Sequence, residues 1–251
     1  SISLSPCSEH CATWKFRQTS KACPEHNVPT VPSKGRQMPA LLALVLLLSA
    51  DLTLITAHVI WSYEDWAWDI EADTGYAESF QYLKWAAASL LLFILAWRRR
   101  ASIYAVWAMF FLYLLLDDSL SLHKRSGGWL SRALDLRTFE GFYHRHFEYF
   151  FLQAHDFGEL IFATAVGLAL AVALYLSWPG RDALRERRVM KWLVAWVLLF
   201  AFFAVGVDML HVMAWEIYPP AIDVLLVVED GGEMICASLL VAGLIFEASR
   251  T

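Results

Sequence analysis

Residues 41–61 read LLALVLLLSADLTLITAHVIW. One acid, Asp51, interrupts an otherwise apolar stretch about as long as the roughly 20 residues a helix needs to cross a bilayer. The run continues past Ala50, and a cut there would leave Leu48 where a signal peptidase needs a small residue, so the segment reads as a retained helix. Five further segments have the same character. The expected spans are 39–61, 79–97, 101–122, 157–178, 191–214 and 224–247. The fold class is therefore all-α, a polytopic membrane bundle of about six transmembrane helices over residues 38–251.

Composition agrees. Of 251 residues 58% are hydrophobic and only 18% charged, with 12 Trp, whereas soluble domains carry about 25% charged residues. The net charge of -5 comes with no basic block, which excludes a nucleic-acid partner of the usual electrostatic kind. The partner implied is the lipid bilayer. Oligomeric state leaves no mark in the sequence.

Residues 1–37 are rich in Ser, Pro, Thr and Lys and lack apolar periodicity, so they read as a disordered polar tail. Met38 is the first methionine, which makes that tail a candidate non-native extension. Cys7, Cys11, Cys23 and His26 have irregular spacing for a zinc site.

Lys and Arg distribution sets orientation. The tail, the turn WRRRAS and the loop RDALRERRVMK are basic, while SYEDWAWDIEADTGYAE (62–78) holds neither Lys nor Arg. Both termini are thus expected in the cytoplasm, of a bacterium with the protein in its inner membrane. The basic residues Lys124, Arg125, Arg132, Arg137 and Arg145 run against this pattern. An outer interfacial segment is expected near 126–154, where the aromatics of FEGFYHRHFEYFF suit the headgroup layer. The remaining Trp and Phe runs are expected at lipid or in the interfacial belt.

The informative feature is a polar layer. At 1.5 Å per residue, Asp118 and Asp208 lie roughly 25 Å from the cytoplasmic ends of their helices. Glu159, Glu229, Asp230 and Glu233 reach a similar depth, with His123, His155 and His211 slightly further out. His58, Gln81 and Lys84 are near this level and Asp51 is deeper. Ionisable groups in a span face the bundle interior and call for partners.

Spacing sharpens the pattern. His155 and Glu159 are i, i+4; Asp208 and His211 are i, i+3; Glu229 and Glu233 are i, i+4; Asp230 and Glu233 are i, i+3. Carboxylates and histidines so spaced on facing helices gather ligands in di-metal bundles. Mixed oxygen and imidazole donors suit a divalent metal such as Zn, Mn or Fe. The expected ligands are His123, His155, Glu159, Asp208, His211, Asp230 and Glu233, with Asp118 or Glu229 as general base. Asp118 and His123 are five apart and converge only if the helix ends or distorts near Ser121. Gly231-Gly232 allows a kink or a close helix approach.

Each residue also has a plainer role. Asp117 and Asp118 suit a helix end, His155 and Asp156 a helix cap, Asp208 and His211 a private hydrogen bond. His144 and His146 suit the surface.

LDDSLSLHK together with VVEDGGEMI resembles segments of uncharacterised bacterial multipass membrane proteins with a D-D/E-x-x-x-x-H-E/K motif. A looser similarity is to the superfamily of alkaline ceramidases and progestin/adipoQ-type receptors. That likeness implies a zinc held by three histidines beside an aspartate, here His123, His155 and His211 with Asp118 or Asp208. The sequence departs from that superfamily in its six spans and in a last helix without histidine.

The leading expectation is an outward-facing intramembrane carboxylate/histidine site, working as a metal-dependent hydrolase on lipid-like substrates. The alternatives are a proton- or cation-coupled transporter or channel, and a non-catalytic membrane subunit.

Overall fold

The computed structural model describes residues 34–72, 74–138, 140–141, 153–180 and 183–250. The cysteines and His26 of the tail, and His144 and His146, lie outside the described residues, as does most of the aromatic part of the expected interfacial segment.

The described chain is helical and contains no strand. Its elements are α1 (Lys34–Trp61), α2 (Tyr76–Arg99), α3 (Ser102–Leu120), α4 (Leu122–Ala133), α5 (Ala154–Leu176), α6 (Leu184–Ala201), a π-helical segment Phe202–Val207, α7 (Asp208–Ile217) and α8 (Ile222–Ser249). Among the described residues five stretches are long and apolar enough to cross a membrane: Met38–Trp61, Tyr76–Arg99, Ser102–Leu120, Ala154–Leu176 and Leu184–Ala214. They carry exposed rows such as Leu41, Leu42, Leu46 and Leu52 on α1, and Leu168 and Val172 on α5. Apolar surface of that extent is sustained in lipid rather than in water. The sixth expected span is α8. It bears Asp223, Glu229, Asp230, Glu233 and Glu247 and is not among the five. It buries Met234, Ala237, Ser238, Leu240 and Leu244 against its neighbours and leaves Val224, Val228, Ile235 and Leu239 exposed on another face.

Local chemistry fixes the helix ends. At the start of α5, Gln153 and Asp156 form a capping box, the Gln153 N–H donating to Asp156 Oδ2 at 2.7 Å. Arg98 and Arg99 sit in the last turn of α2, where the helix dipole favours cations.

Helices α2 and α3 form an antiparallel pair, tied by Ser89 Oγ donating to the Ala108 carbonyl at 2.9 Å. Helices α2 and α8 run in the same direction, because two ties keep one register. Lys84 Nζ donates to the Met234 carbonyl at 2.9 Å, and Arg99 Nη2 reaches Glu247 Oε1 at 2.9 Å.

The core is aromatic, which corrects for part of the rings the expectation that Trp and Phe face lipid or the belt; Trp61, Trp66, Trp97, Trp129 and Trp178 are exposed. Trp85, Trp107 and Phe111 are wholly buried and Trp196 nearly so. Phe111 stacks on Trp85 and Trp107 at centroid distances of 5.8 and 6.1 Å. A buried indole needs an acceptor for its N–H. Trp196 Nε1 donates to the Cys236 carbonyl at 2.7 Å, and Trp85 donates to Asp118. The polar layer and the α8 backbone thus supply acceptors for Trp85 and Trp196, whereas the buried Trp107 Nε1 has no partner among the described residues.

Candidate functional site

Helix α3 ends where the Asp118–His123 spacing requires. Ser121 adopts a left-handed conformation, φ 49°, and its N–H is directed at the carbonyls of Asp117 and Asp118. The chain then reverses into α4, which returns His123 toward α3. The aspartate it meets is Asp117 rather than Asp118, with Nδ1 and Oδ2 3.0 Å apart. Asp118 points the other way and accepts the Trp85 N–H at 2.7 Å. Lying beyond the span in α4, the His123 imidazole is held above its ordinary pKa by the Asp117 hydrogen bond, with burial opposing.

Backbone contact brings α5 alongside α4. A Cβ at Gly158 would sit 2.2 Å from the Gly127 carbonyl oxygen, and one at Gly127 would sit 2.9 Å from the Glu159 nitrogen. Only glycine permits this crossing, and it sets Glu159 beside the charges of His123, His155 and Lys124. His155 turns away. Its Nε2 pairs with Asp156 at 3.0 Å and its side chain is 54% exposed.

Asp208 and His211 follow directly on the π-helical segment. A π turn adds a residue per turn and shifts the helical phase, so these two residues do not follow the α register set by α6. They meet α8. His211 Nδ1 lies 3.0 Å from Glu229 Oε2, and the Asp208 carboxyl group comes within interaction range of Glu229. The result is a cluster of Asp208, Glu229 and His211 contributed by two helices. Glu233 lies within electrostatic reach of Asp118, Asp208, Glu229 and Asp230. The Gly231-Gly232 pair provides a close approach rather than a break. Helix α8 is continuous, and a Cβ at Gly232 would meet the Phe203 ring at 2.3 Å.

The acidic loop after α1 also belongs here, and sequence reasoning did not place it. His58 Nδ1 accepts the Ile70 N–H at 3.1 Å, which fastens the loop across the end of α1. Glu71 comes within electrostatic reach of Glu229 and Asp230, and Asp69 within reach of Asp230. The available signal was six acids in residues 62–78 with no Lys or Arg.

Deeper in the bundle, Lys84 Nζ and Asp51 Oδ1 form a salt bridge of 2.8 Å with both side chains 1% exposed. Ser238 Oγ donates to the other Asp51 oxygen. Gln81, one turn outward of Lys84 and buried, has neither amide atom hydrogen-bonded, and Asp117 Oδ1 and Asp230 Oδ2 are likewise buried without a partner among the described residues. Below the salt bridge the path along α8 is apolar, through Leu240, Val241 and Leu244, until Glu247 meets Arg99 and Arg185. The polar centre therefore opens toward one end of the bundle only.

Besides the His58–Asp69 and His155–Asp156 contacts, two imidazole–carboxylate pairs result, Asp117–His123 and Glu229–His211. Each uses Nδ1 and leaves Nε2 without a hydrogen-bond partner among the described residues. An imidazole so oriented serves as a base or as a metal ligand. The seven residues expected as ligands split among these pairs, the His155–Asp156 contact and the carboxyl cluster. Among the described residues no group of three or more His, Cys, Asp and Glu is disposed to hold a metal ion.

No curated protein and no solved structure matches the chain. Residues 38–248 match a family described as a domain of unknown function (DUF8692), which takes in both histidine–carboxylate pairs and every helix after the first four residues of α1, and the chain belongs to that family.

Proposed function

We propose that this chain is an integral protein of a bacterial inner membrane, with cytoplasmic termini and an outward-facing carboxylate/histidine centre that hydrolyses a lipid-like substrate by general acid–base catalysis. The observation that carries this reading is the His211–Glu229 pair between α7 and α8, 3.0 Å apart, with the Asp208 carboxyl group beside it. In this scheme His211 Nε2 removes a proton from water as it attacks an ester centre of the substrate. Glu229 holds the ring through Nδ1 and stabilises the imidazolium, as the aspartate does in a catalytic triad. The His211 imidazolium then gives that proton to the leaving group, which balances the step. Depth supports a lipid-like substrate, since the centre lies near the ends of the spans.

The apolar stretch through Leu240, Val241 and Leu244 argues against a continuous transport path. Metal-assisted hydrolysis with Zn, Mn or Fe is a second form of the same reading, favoured by the free Nε2 atoms of His123 and His211, the orientation metal-bound histidines adopt.

The test is lipid turnover by the purified protein in liposomes of mixed bacterial lipid, read by mass spectrometry, with metal content measured on the same sample. Wild type is expected to release headgroups or acyl chains, and His211→Ala and Glu229→Gln to lose at least about a hundredfold in rate, the low end for a general base. Unchanged lipid in the wild-type sample, with and without added Zn, Mn and Fe, overturns the hydrolase reading. Turnover without stoichiometric metal removes the metal-assisted form.

A further inference from the structure

The loop that closes over the acid centre carries a cleft of its own. It measures about 210 Å³ and is lined by Trp61, Glu64, Asp65 and Trp68. The Trp61 and Trp68 rings stand 5.7 Å apart at 48°, so they form two walls of a V. Tyr76 braces the outer face of Trp68, its centroid 4.6 Å away. Asp65 spends one oxygen capping the short helix Trp66–Trp68, accepting the Ala67 N–H at 3.1 Å. Glu64 is exposed, and its carboxylate has no partner among the described residues.

Aromatic faces carry negative quadrupole potential and attract cations, best when tryptophan supplies the face. None of the described cations occupies these rings. The cation–π pairs among the described residues involve Phe80, Tyr104 and Phe246, and residues 62–78 contain no Lys or Arg. A tryptophan that merely anchors a helix at the headgroups gains nothing from two carboxylates beside it, which repel anionic lipid. Two indoles plus two carboxylates fit an alkylated ammonium group. Trp61 is also the last residue of a membrane span, which sets the cleft at headgroup level.

We propose that the cleft formed by Trp61, Trp68, Glu64 and Asp65 binds the ammonium group of a zwitterionic headgroup such as ethanolamine or choline. Asp69 and Glu71, a few residues along the same loop, lie within electrostatic reach of Glu229 and Asp230, so the cleft and the acid centre share one loop. This deepens the hydrolase reading by naming its substrate class, and it rests on that reading only for the catalytic consequence.

The test is native mass spectrometry of the full chain in non-ionic detergent, with equimolar phosphatidylethanolamine and phosphatidylglycerol of identical chains. Wild type is expected to retain phosphatidylethanolamine in preference. Trp68→Leu and, separately, Glu64→Gln are expected to lower its occupancy about three- to tenfold, in line with an exposed cation–π contact, and to leave phosphatidylglycerol unchanged. Glu64 is exposed, so Glu64→Gln keeps the fold even if Trp68→Leu does not. Displacement by tetramethylammonium or free choline assigns recognition to the ammonium alone. Displacement only by diacyl lipid assigns it to the intact headgroup and still supports the cleft. Equal retention of both lipids by wild type, or full retention by Glu64→Gln and Trp68→Leu alike, overturns the proposal. Selective retention without turnover keeps this cleft and removes the hydrolase, whereas turnover indifferent to headgroup does the reverse.

Discussion

Changing Lys84 to Met removes one partner of the deepest ion pair in the bundle. Lys84 Nζ and Asp51 Oδ1 are 2.8 Å apart and their side chains 1% exposed. At an effective dielectric of 20, the Coulomb attraction at that distance is about 6 kcal/mol. Desolvation takes back several kcal/mol per ion, so the pair's net worth is small while the cost of halving it is large, about 3–5 kcal/mol. Lys84→Met leaves Asp51 with the Ser238 hydroxyl, and Asp51→Leu leaves Lys84 with the Met234 carbonyl and the Phe80 ring, neither of which carries a compensating charge. Each single variant is therefore expected to lose about 3–5 kcal/mol, and the double variant Asp51→Leu/Lys84→Met to fall within about 2 kcal/mol of wild type. Reversible unfolding in mixed micelles, titrated with a denaturing detergent, reads all four corners of the cycle. Single losses that simply add in the double variant would refute the ion pair as the tie among α1, α2 and α8.

Two further outcomes follow from the geometry. Gly158→Val is expected to destabilise by about 1–3 kcal/mol or more, because its side chain meets the Gly127 carbonyl rather than a mobile atom, whereas Gly128→Ala, with nothing within 4 Å, is expected to be silent in the same thermal melt. The Asp117 hydrogen bond raises the His123 pKa, so its stabilisation is complete below the ordinary imidazole value near 6.5 and fades as pH rises through the raised value. The melting-temperature gap between wild type and Asp117→Asn is thus expected to be wider at pH 6 than at pH 9, and a gap constant across that range removes the assignment.

The helices were legible because lipid imposes a one-dimensional code of about 20 apolar residues per span. Helix α8 was legible by length, and its acids mark the face turned to the bundle while Val224, Val228, Ile235 and Leu239 form its exposed apolar face. The convergence of Asp118, Asp208, Glu229, Asp230 and Glu233 could be read from depth alone, since helical rise converts sequence position into height. Azimuth could not. Which aspartate meets His123 depends on the left-handed Ser121, and which carboxylate meets His211 depends on a π turn with no residue signature of its own. His155 was assigned inward by its i, i+4 relation to Glu159, but the neighbouring Asp156, needed as a cap, draws its ring outward. The buried tryptophans were missed because composition cannot tell an indole that finds a carbonyl acceptor from one that faces lipid.

The π-helical segment makes the fifth span a rod with two phases. Its first part presents Leu193 and Trp196 to the aromatic core, and its last part presents Asp208 and His211 to α8. Removing a single residue between Phe202 and Val207 would leave composition, length and hydropathy nearly untouched, yet turn everything beyond it by about 100°. In this family, therefore, a one-residue gap at that place would separate chains that keep the chemistry from chains that keep only the architecture.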